Sequence, residues 1–310
     1  MSITPQDIEL ILQDAYQTSL TNKDGEPAQY IPELAKVDPD VTAAAIWHKE
    51  GWCYSVGDSQ RRSTLQSVAK VVLLTGLIEE YGVDQVFKWI GTEPSGLSFS
   101  SLTQLDTYGP RPANPLVNAG AIALCSRIPG DEEAQNEWLY HWMTELIGSH
   151  VRINETVRRS EADTAHRNRA LAHLMKSSDI LKGDVDRALL LYFTLCAYED
   201  TVEHIARLPL ILANGGRDER GIQVLNPDTV KSVIAIMTTS GLYNESGSHL
   251  LRTGLPAKSG VSGLIIASAI GHAGIAVFNP RINDKGGSIR GHLMLEEISK
   301  RTGWHFGLPE

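Results

Sequence analysis

Ser67 and Lys70 stand three residues apart in Ser67-Val68-Ala69-Lys70, where the polar approach Ser63-Thr64-Leu65-Gln66 gives way to the apolar run Val71-Val72-Leu73-Leu74. Ser63 and Gln66 have capping-box spacing, which predicts a helix start there and puts Ser67 in its first turns. Positions i and i+3 of a helix are neighbours, with Cβ atoms roughly 5–6 Å apart. A hydroxyl beside an amine at the entrance to a dry region is a nucleophile beside a base. Burial lowers a lysine's pKa, and a neutral lysine takes a serine's proton. Taken alone, S-x-x-K favours a plainer alternative, a capping serine and a snorkelling lysine on an ordinary helix, because both residues are common.

The elements that must position this pair follow from periodicity and turn chemistry. Thr4 and Pro5 read as N-cap and first residue of a helix with the stripe Ile8, Ile11, Leu12, Ala15 and Tyr16. Residues 41–46 and 51–56 flank His48-Lys49-Glu50 as a β-hairpin. Residues 91–115 are loop-rich, and helical spacing is found over 118–125, 132–147, 167–174, 185–198, 201–212 and 227–237. β character returns after Pro256, with strands at 263–270 and 275–278, and 289–302 reads as a final helix. The expected fold is α+β: an antiparallel sheet built from N- and C-terminal strands, with flanking helices and an inserted helical region. We expect one domain over 1–310, its sheet-containing layer from 1–80 and 255–310 and its mainly helical insert from 81–254.

Lys258-Ser259-Gly260 opens the C-terminal strands. Serine β-lactamases and penicillin-binding proteins carry S-x-x-K on a buried helix and K-T-G on a sheet strand, and the order here is similar. No S-D-N equivalent is present, which counts against a β-lactamase proper. Longer blocks resemble the serine-dependent glutaminase family: Tyr30-Ile31-Pro32-Glu33-Leu34-Ala35, Gly57-Asp58-Ser59, Asn114-Pro115-Leu116-Val117-Asn118-Ala119-Gly120-Ala121-Ile122, Ser160-Glu161, Asn168-Arg169-Ala170, Ser240-Gly241-Leu242-Tyr243 and Gly254-Leu255-Pro256-Ala257-Lys258-Ser259-Gly260-Val261. They run from about residue 28 to 290.

The resemblance implies a serine β-lactamase-like fold and hydrolysis of L-glutamine to L-glutamate and ammonia through a serine acyl-enzyme. It implies no cofactor, and a homo-oligomer, dimer or tetramer. It makes Ser67 the nucleophile, Lys70 its activating partner, and Tyr30 and Tyr243 active-site tyrosines, with Tyr243 relaying a proton toward the leaving group. Backbone N–H groups of Ser67 and Val261 form the implied oxyanion site. Glu161 meets the α-ammonium, and Asn118, Asn168 and Tyr192 meet the α-carboxylate and amide. Glu161 and Asn168 lie seven residues apart, so a continuous helix would carry both on one face. Whether lysine or tyrosine is the acylation base stays open. The chain departs from the family's usual sequence at Ala69, in place of a serine, and at Ser262-Gly263-Leu264, in place of a glycine triplet. The rival expectations are another hydrolase of this fold acting on an amide, ester or β-lactam, and a ligand sensor without turnover.

Composition bounds the rest. A net charge of −9 argues against a general nucleic-acid binder. Cys53, Cys125 and Cys196 are far apart among apolar neighbours and read as buried reduced thiols; no C-x-x-C or zinc-spaced cluster occurs. Residues 1–7 lack the basic and apolar regions of a signal peptide, and no apolar run approaches the ~20 residues of a membrane span. We therefore expect a cytoplasmic protein with no membrane or nucleic-acid partner and no metal. Arg61-Arg62 and Arg158-Arg159 read as surface or salt-bridge groups.

Overall fold

The computed structural model describes residues 3–107 and 109–308; Met1 and Ser2 of the opening segment, and Tyr108 of the 91–115 loop, lie outside the described residues. Helix α1 (Pro5–Ser19) and the short α2 (Pro32–Ala35) precede the hairpin β1 (Ala43–His48) and β2 (Cys53–Gly57). Strand β3 (Ser63–Thr64) leads through a 3-10 turn (Gln66–Val68) into α3 (Ala69–Tyr81), followed by α4 (Val83–Trp89), α5 (Thr103–Thr107), α6 (Asn118–Cys125) and α7 (Glu132–Leu146). Next come β4 (Arg152–Ile153), α8 (Glu155–Thr164), α9 (His166–Ser177), α10 (Val185–Ala197), β5 (Tyr198–Asp200), α11 (Val202–Ile205), α12 (Arg207–Ala213) and α13 (Pro227–Ser240). A second 3-10 turn (Tyr243–Glu245), α14 (Ser246–Thr253), β6 (Ala257–Ser259), β7 (Leu264–Ala269), β8 (Ala273–Phe278) and α15 (Ile289–Thr302) complete the chain.

Both ends of the sequence build the main sheet, an antiparallel array in the order β2-β1-β8-β7-β6, with Ala45 paired to Ala276. Alternate side chains point to opposite faces. Ala44, Ile46, Ile265, Ile275 and Val277 pack with α1 and α15 on one side. Ala43, Ala45, Leu264, Ile266, Ala276 and Phe278 join the larger helical core on the other. Burial on both faces explains why these strands read as unbroken apolar runs. Leu264 sits in this core in extended backbone opposite Phe278, so the position needs none of glycine's freedom.

Two local expectations fail, and a small second sheet adds to the expected one. Ser63 is not a helix cap: Ser63 and Thr64 pair with Asp200 and Glu199, and Leu65 N–H donates to Tyr198 O at 2.7 Å. A strand partner distant in sequence captures the backbone that local capping would have used. The expected 201–212 helix is two pieces, because the Pro209 ring has no N–H to give and would clash with the Ile205 carbonyl in a continuous helix. A second sheet, β3-β5-β4, is assembled from strands two or three residues long, too short to show a period. The Thr4–Pro5 start is as expected, with a full capping box to Asp7. All three cysteines are free, although Cys53 is only half-buried. Arg62 reaches Asp200 at 3.3 Å and Arg158 reaches Glu155 at 2.6 Å. No helix among the described residues is long and apolar enough to cross a membrane.

Candidate active site

Ser67 lies in the 3-10 turn and Lys70 in the first turn of α3, so the i, i+3 neighbourhood holds although the helix starts later than expected. Gln66, just before the serine, has φ +46°, a left-handed conformation that costs a non-glycine residue energy and marks a constrained bend. Lys70 is fully buried. Its Nζ donates to Asn118 Oδ1 at 2.7 Å and to Leu116 O at 3.2 Å. Asn118 opens α6 and passes the chain on, its Nδ2 donating to Asn168 Oδ1 at 3.0 Å. No carboxylate lies within ion-pair distance of Lys70 among the described residues, and burial lowers its ammonium to about 8.

Tyr243 follows α13 in a turn with φ +55°. Burial raises its pKa, and the nearby Ser67 side chain pulls the other way, so the phenol and the serine face each other. Lys258 Nζ sits 4.2 Å from the centre of the Tyr243 ring, and Lys70 Nζ 6.0 Å. Lys258 is also fully buried; burial, and then the charge of Lys70, lowers its pKa well below the usual lysine range. Two lysines of weakened basicity therefore flank one phenol and one serine.

In front of Ser67 opens a cavity of about 280 Å³, near the lower end of small-molecule sites. Tyr30, Ser67, Asn118, Glu161, Asn168, Tyr192 and Val261 line it. Lys70 and Tyr243 are not on its wall; they stand behind Ser67. Tyr30 is 53% exposed and sits at the rim, whereas Tyr243 is half-buried. Glu161 and Asn168 do not share a helix, because α8 and α9 are separate and meet at Ala165; the corner between them brings both side chains to the cavity. Glu161 is buried, and its carboxyl is pushed up to about 7 by burial, against the opposing pull of the Gln66 amide and the Lys70 charge. Glu161 Oε2 and Gln66 Nε2 face each other without a hydrogen bond of normal geometry.

The N–H groups of Ser67 and Val261 donate to no protein acceptor among the described residues. Both residues border the cavity, so its wall carries two residues with free amide donors. Gln66, Phe99 and Arg167 are among the lining residues that the sequence reading did not place in the site. Gln66 had been read as part of a capping box. Phe99 belongs to a loop, and its ring lies 5.1 Å from that of Tyr243. Arg167 adjoins Asn168 and donates through Nε to Ser100 O at 2.6 Å; its place next to a recognised asparagine was the available signal. Among the described residues no group of three or more His, Cys, Asp or Glu side chains is placed to hold a metal ion.

The glutaminase family model matches residues 25–306. The chain belongs to the glutaminase family. It is 49% identical over 302 residues to a glutaminase of Legionella pneumophila (strain Corby), covering 96% of this chain and 97% of that one. A solved structure described as a probable glutaminase superposes with a TM-score of 0.96 at 36% identity, covering 99% of this chain and all of the other. A Bacillus subtilis glutaminase, solved as the covalent complex with 5-oxo-L-norleucine formed from 6-diazo-5-oxo-L-norleucine, superposes with a TM-score of 0.85 at 33% identity over 97% of this chain and 99% of the other. The α+β architecture expected from the sequence is the architecture of these glutaminases.

Proposed function

We propose that this chain hydrolyses the side-chain amide of L-glutamine to L-glutamate and ammonia through an acyl-enzyme on Ser67. The observation that carries the reading is the meeting, at and just behind one small cavity, of a serine, the half-buried tyrosine that faces it, a buried lysine of lowered pKa and two unused backbone N–H groups. Ser67 Oγ bonds to the amide carbon, and its proton leaves through Lys70 and Tyr243. The oxyanion sits between the N–H groups of Ser67 and Val261. Tyr243 hands the proton to the nitrogen as the C–N bond breaks, and ammonia departs. Water then attacks the acyl carbon along the reverse proton route and frees glutamate. In this reading Tyr243, kept a phenol by its raised pKa, takes the serine's proton only as it hands its own to neutral Lys70. Glu161 holds the α-ammonium, and Asn118, Asn168 and Tyr192 hold the remaining polar atoms, with Tyr30 closing the rim. The covalent adduct of the Bacillus subtilis relative with a glutamine-shaped ketone supports a nucleophilic route.

The test measures ammonia and glutamate release from L-glutamine, beside L-asparagine, D-glutamine and a β-lactam, for wild type and Ser67→Ala. Release from L-glutamine by wild type, and its loss in Ser67→Ala, is expected. No release by the intact protein would overturn the function, and release surviving Ser67→Ala would overturn the mechanism. We further propose a cytoplasmic homo-oligomer, dimer or tetramer, on the strength of the family; light scattering after size exclusion and cell fractionation test those two points.

A further inference from the structure

We propose that Ser262 is a positioning residue for the oxyanion site, its hydroxyl clamping the turn that presents the Val261 N–H to the strand that delivers Ser67. This rests on the hydrolytic reading above. The two donors come from parts of the chain far apart in sequence, one from the 3-10 turn before α3 and the other from the link between β6 and β7. A tetrahedral oxyanion is stabilised only if both reach it together, and hydrogen bonds weaken steeply when distance or angle drifts.

The turn itself is tight. Gly260 N–H donates to Leu264 O at 2.8 Å, and Gly263 N–H to Gly260 O at 2.9 Å. Gly263, at φ +96°, is pressed so closely on Asn279 that a Cβ there would meet the Asn279 carbonyl oxygen at 2.1 Å. The Ser67 side begins at β3, which occupies an edge of its small sheet and has β5 on one side only. Across that free edge Ser262 Oγ donates to Thr64 O at 2.7 Å, in a buried bond. Among the described residues no other hydrogen bond joins the 260–263 turn to the 63–68 segment. The remaining tie is packing: Gly260 lies against Leu65 so closely that a Cβ would come within 2.6 Å of the Leu65 carbonyl oxygen. Ser262 thus satisfies a carbonyl that β-pairing leaves open, and in doing so it fixes the spacing of Val261 from Ser67. Ser262 is outside the cavity lining, and Glu161 and Asn168, which hold the α-ammonium and its neighbours, stand on other elements. It also falls in the stretch where the chain departs from the family's glycine triplet.

The experiment compares Ser262→Ala, Ser262→Thr and Ser262→Cys with wild type in steady-state glutamine hydrolysis. Ser262→Ala is expected to lower kcat roughly 10- to 100-fold, short of the loss from deleting an oxyanion donor outright. Its KM should stay within about twofold, because the groups that bind the ground state are untouched. Ser262→Thr keeps the hydroxyl and should restore most of kcat. Ser262→Cys, nearly isosteric with a weak donor, should fall between, so the order Ser, Thr, Cys, Ala can be read even if the alanine variant folds poorly. An unchanged kcat in Ser262→Ala, equal changes in kcat and KM, or a cysteine variant as active as the threonine one would overturn the clamp. A wild-type protein without glutaminase activity would instead overturn the reading on which it rests.

Discussion

Lys70 is buried with no ion-pair partner among the described residues, and that has a cost in stability as well as a use in the proposed catalysis. Its pKa of about 8, against roughly 10.4 for a free lysine, corresponds to about 3 kcal/mol of penalty on the charged form. Below pH 8 the lysine is protonated both folded and unfolded, so the penalty is complete; as pH climbs from 8 toward the unfolded value, the folded protein sheds its proton first and the penalty fades. Lys70→Met should therefore be more stable than wild type by about 1–3 kcal/mol at pH 7 in denaturant unfolding, with the gap closing toward pH 10, and it should be inactive. A less stable variant would show that the bonds to Leu116 and Asn118 outweigh the burial. Lys70→Arg keeps the charge but cannot become neutral, and turnover should fall by orders of magnitude. Near-normal turnover would make Lys70 an electrostatic group and not a base. Glu161 titrates near 7, and an ammonium-binding carboxylate must be ionised, so KM for glutamine should fall as pH rises through 7. Glu161→Gln should raise KM about tenfold or more and flatten that pH dependence. An unchanged KM removes Glu161 from the ammonium site. At this scale the S-x-x-K spacing singled out Ser67 and Lys70, and the family resemblance added Asn118, Glu161 and Val261. The left-handed backbone of Gln66 was not readable, because tertiary strand pairing imposes it.

Helices and strands show the same division between local and distant causes. The α1 start, the β1–β2 hairpin, α6 and α15 follow from caps, turns and periodicity, and they sit where the spacing puts them. The Ser63–Thr64 strand is decided by its β5 partner elsewhere in the chain. One close approach gives an element-scale test. Gly241, at the end of α13, lies under β6, where an added Cβ would meet the Ala257 carbonyl oxygen at 1.8 Å and that of Met237 at 2.6 Å. Gly241→Ala must push Lys258 and the Tyr243 turn apart, and we expect a loss of about 1–3 kcal/mol in denaturant unfolding together with a fall in kcat. Gly247→Ala, in α14 with open space around it, is the matched control and should be neutral or stabilising by up to about 1 kcal/mol. Equal behaviour of the two variants would show that α13 and β6 can separate without harm to the site.

At the scale of the whole molecule, the interleaved sheet means that no early part of the chain can finish its own core. A chain stopped after Thr253 lacks β6, β7, β8 and α15, and leaves β1 without its β8 partner. Such a fragment should give no cooperative unfolding transition; a sharp transition by circular dichroism would show that the helical region is self-sufficient. The pairing of Ala45 with Ala276 also sets a timetable. During synthesis Ser67 leaves the ribosome long before Val261 and Ser262 exist, so the nascent chain carries the proposed nucleophile without the proposed anion cradle, and its first hairpin with a bare edge open to stray strands. On the proposed mechanism, catalysis can begin only when the carboxyl-terminal hairpin pairs beside β1, making the last strands of the chain both the seal of the fold and the switch that arms its serine.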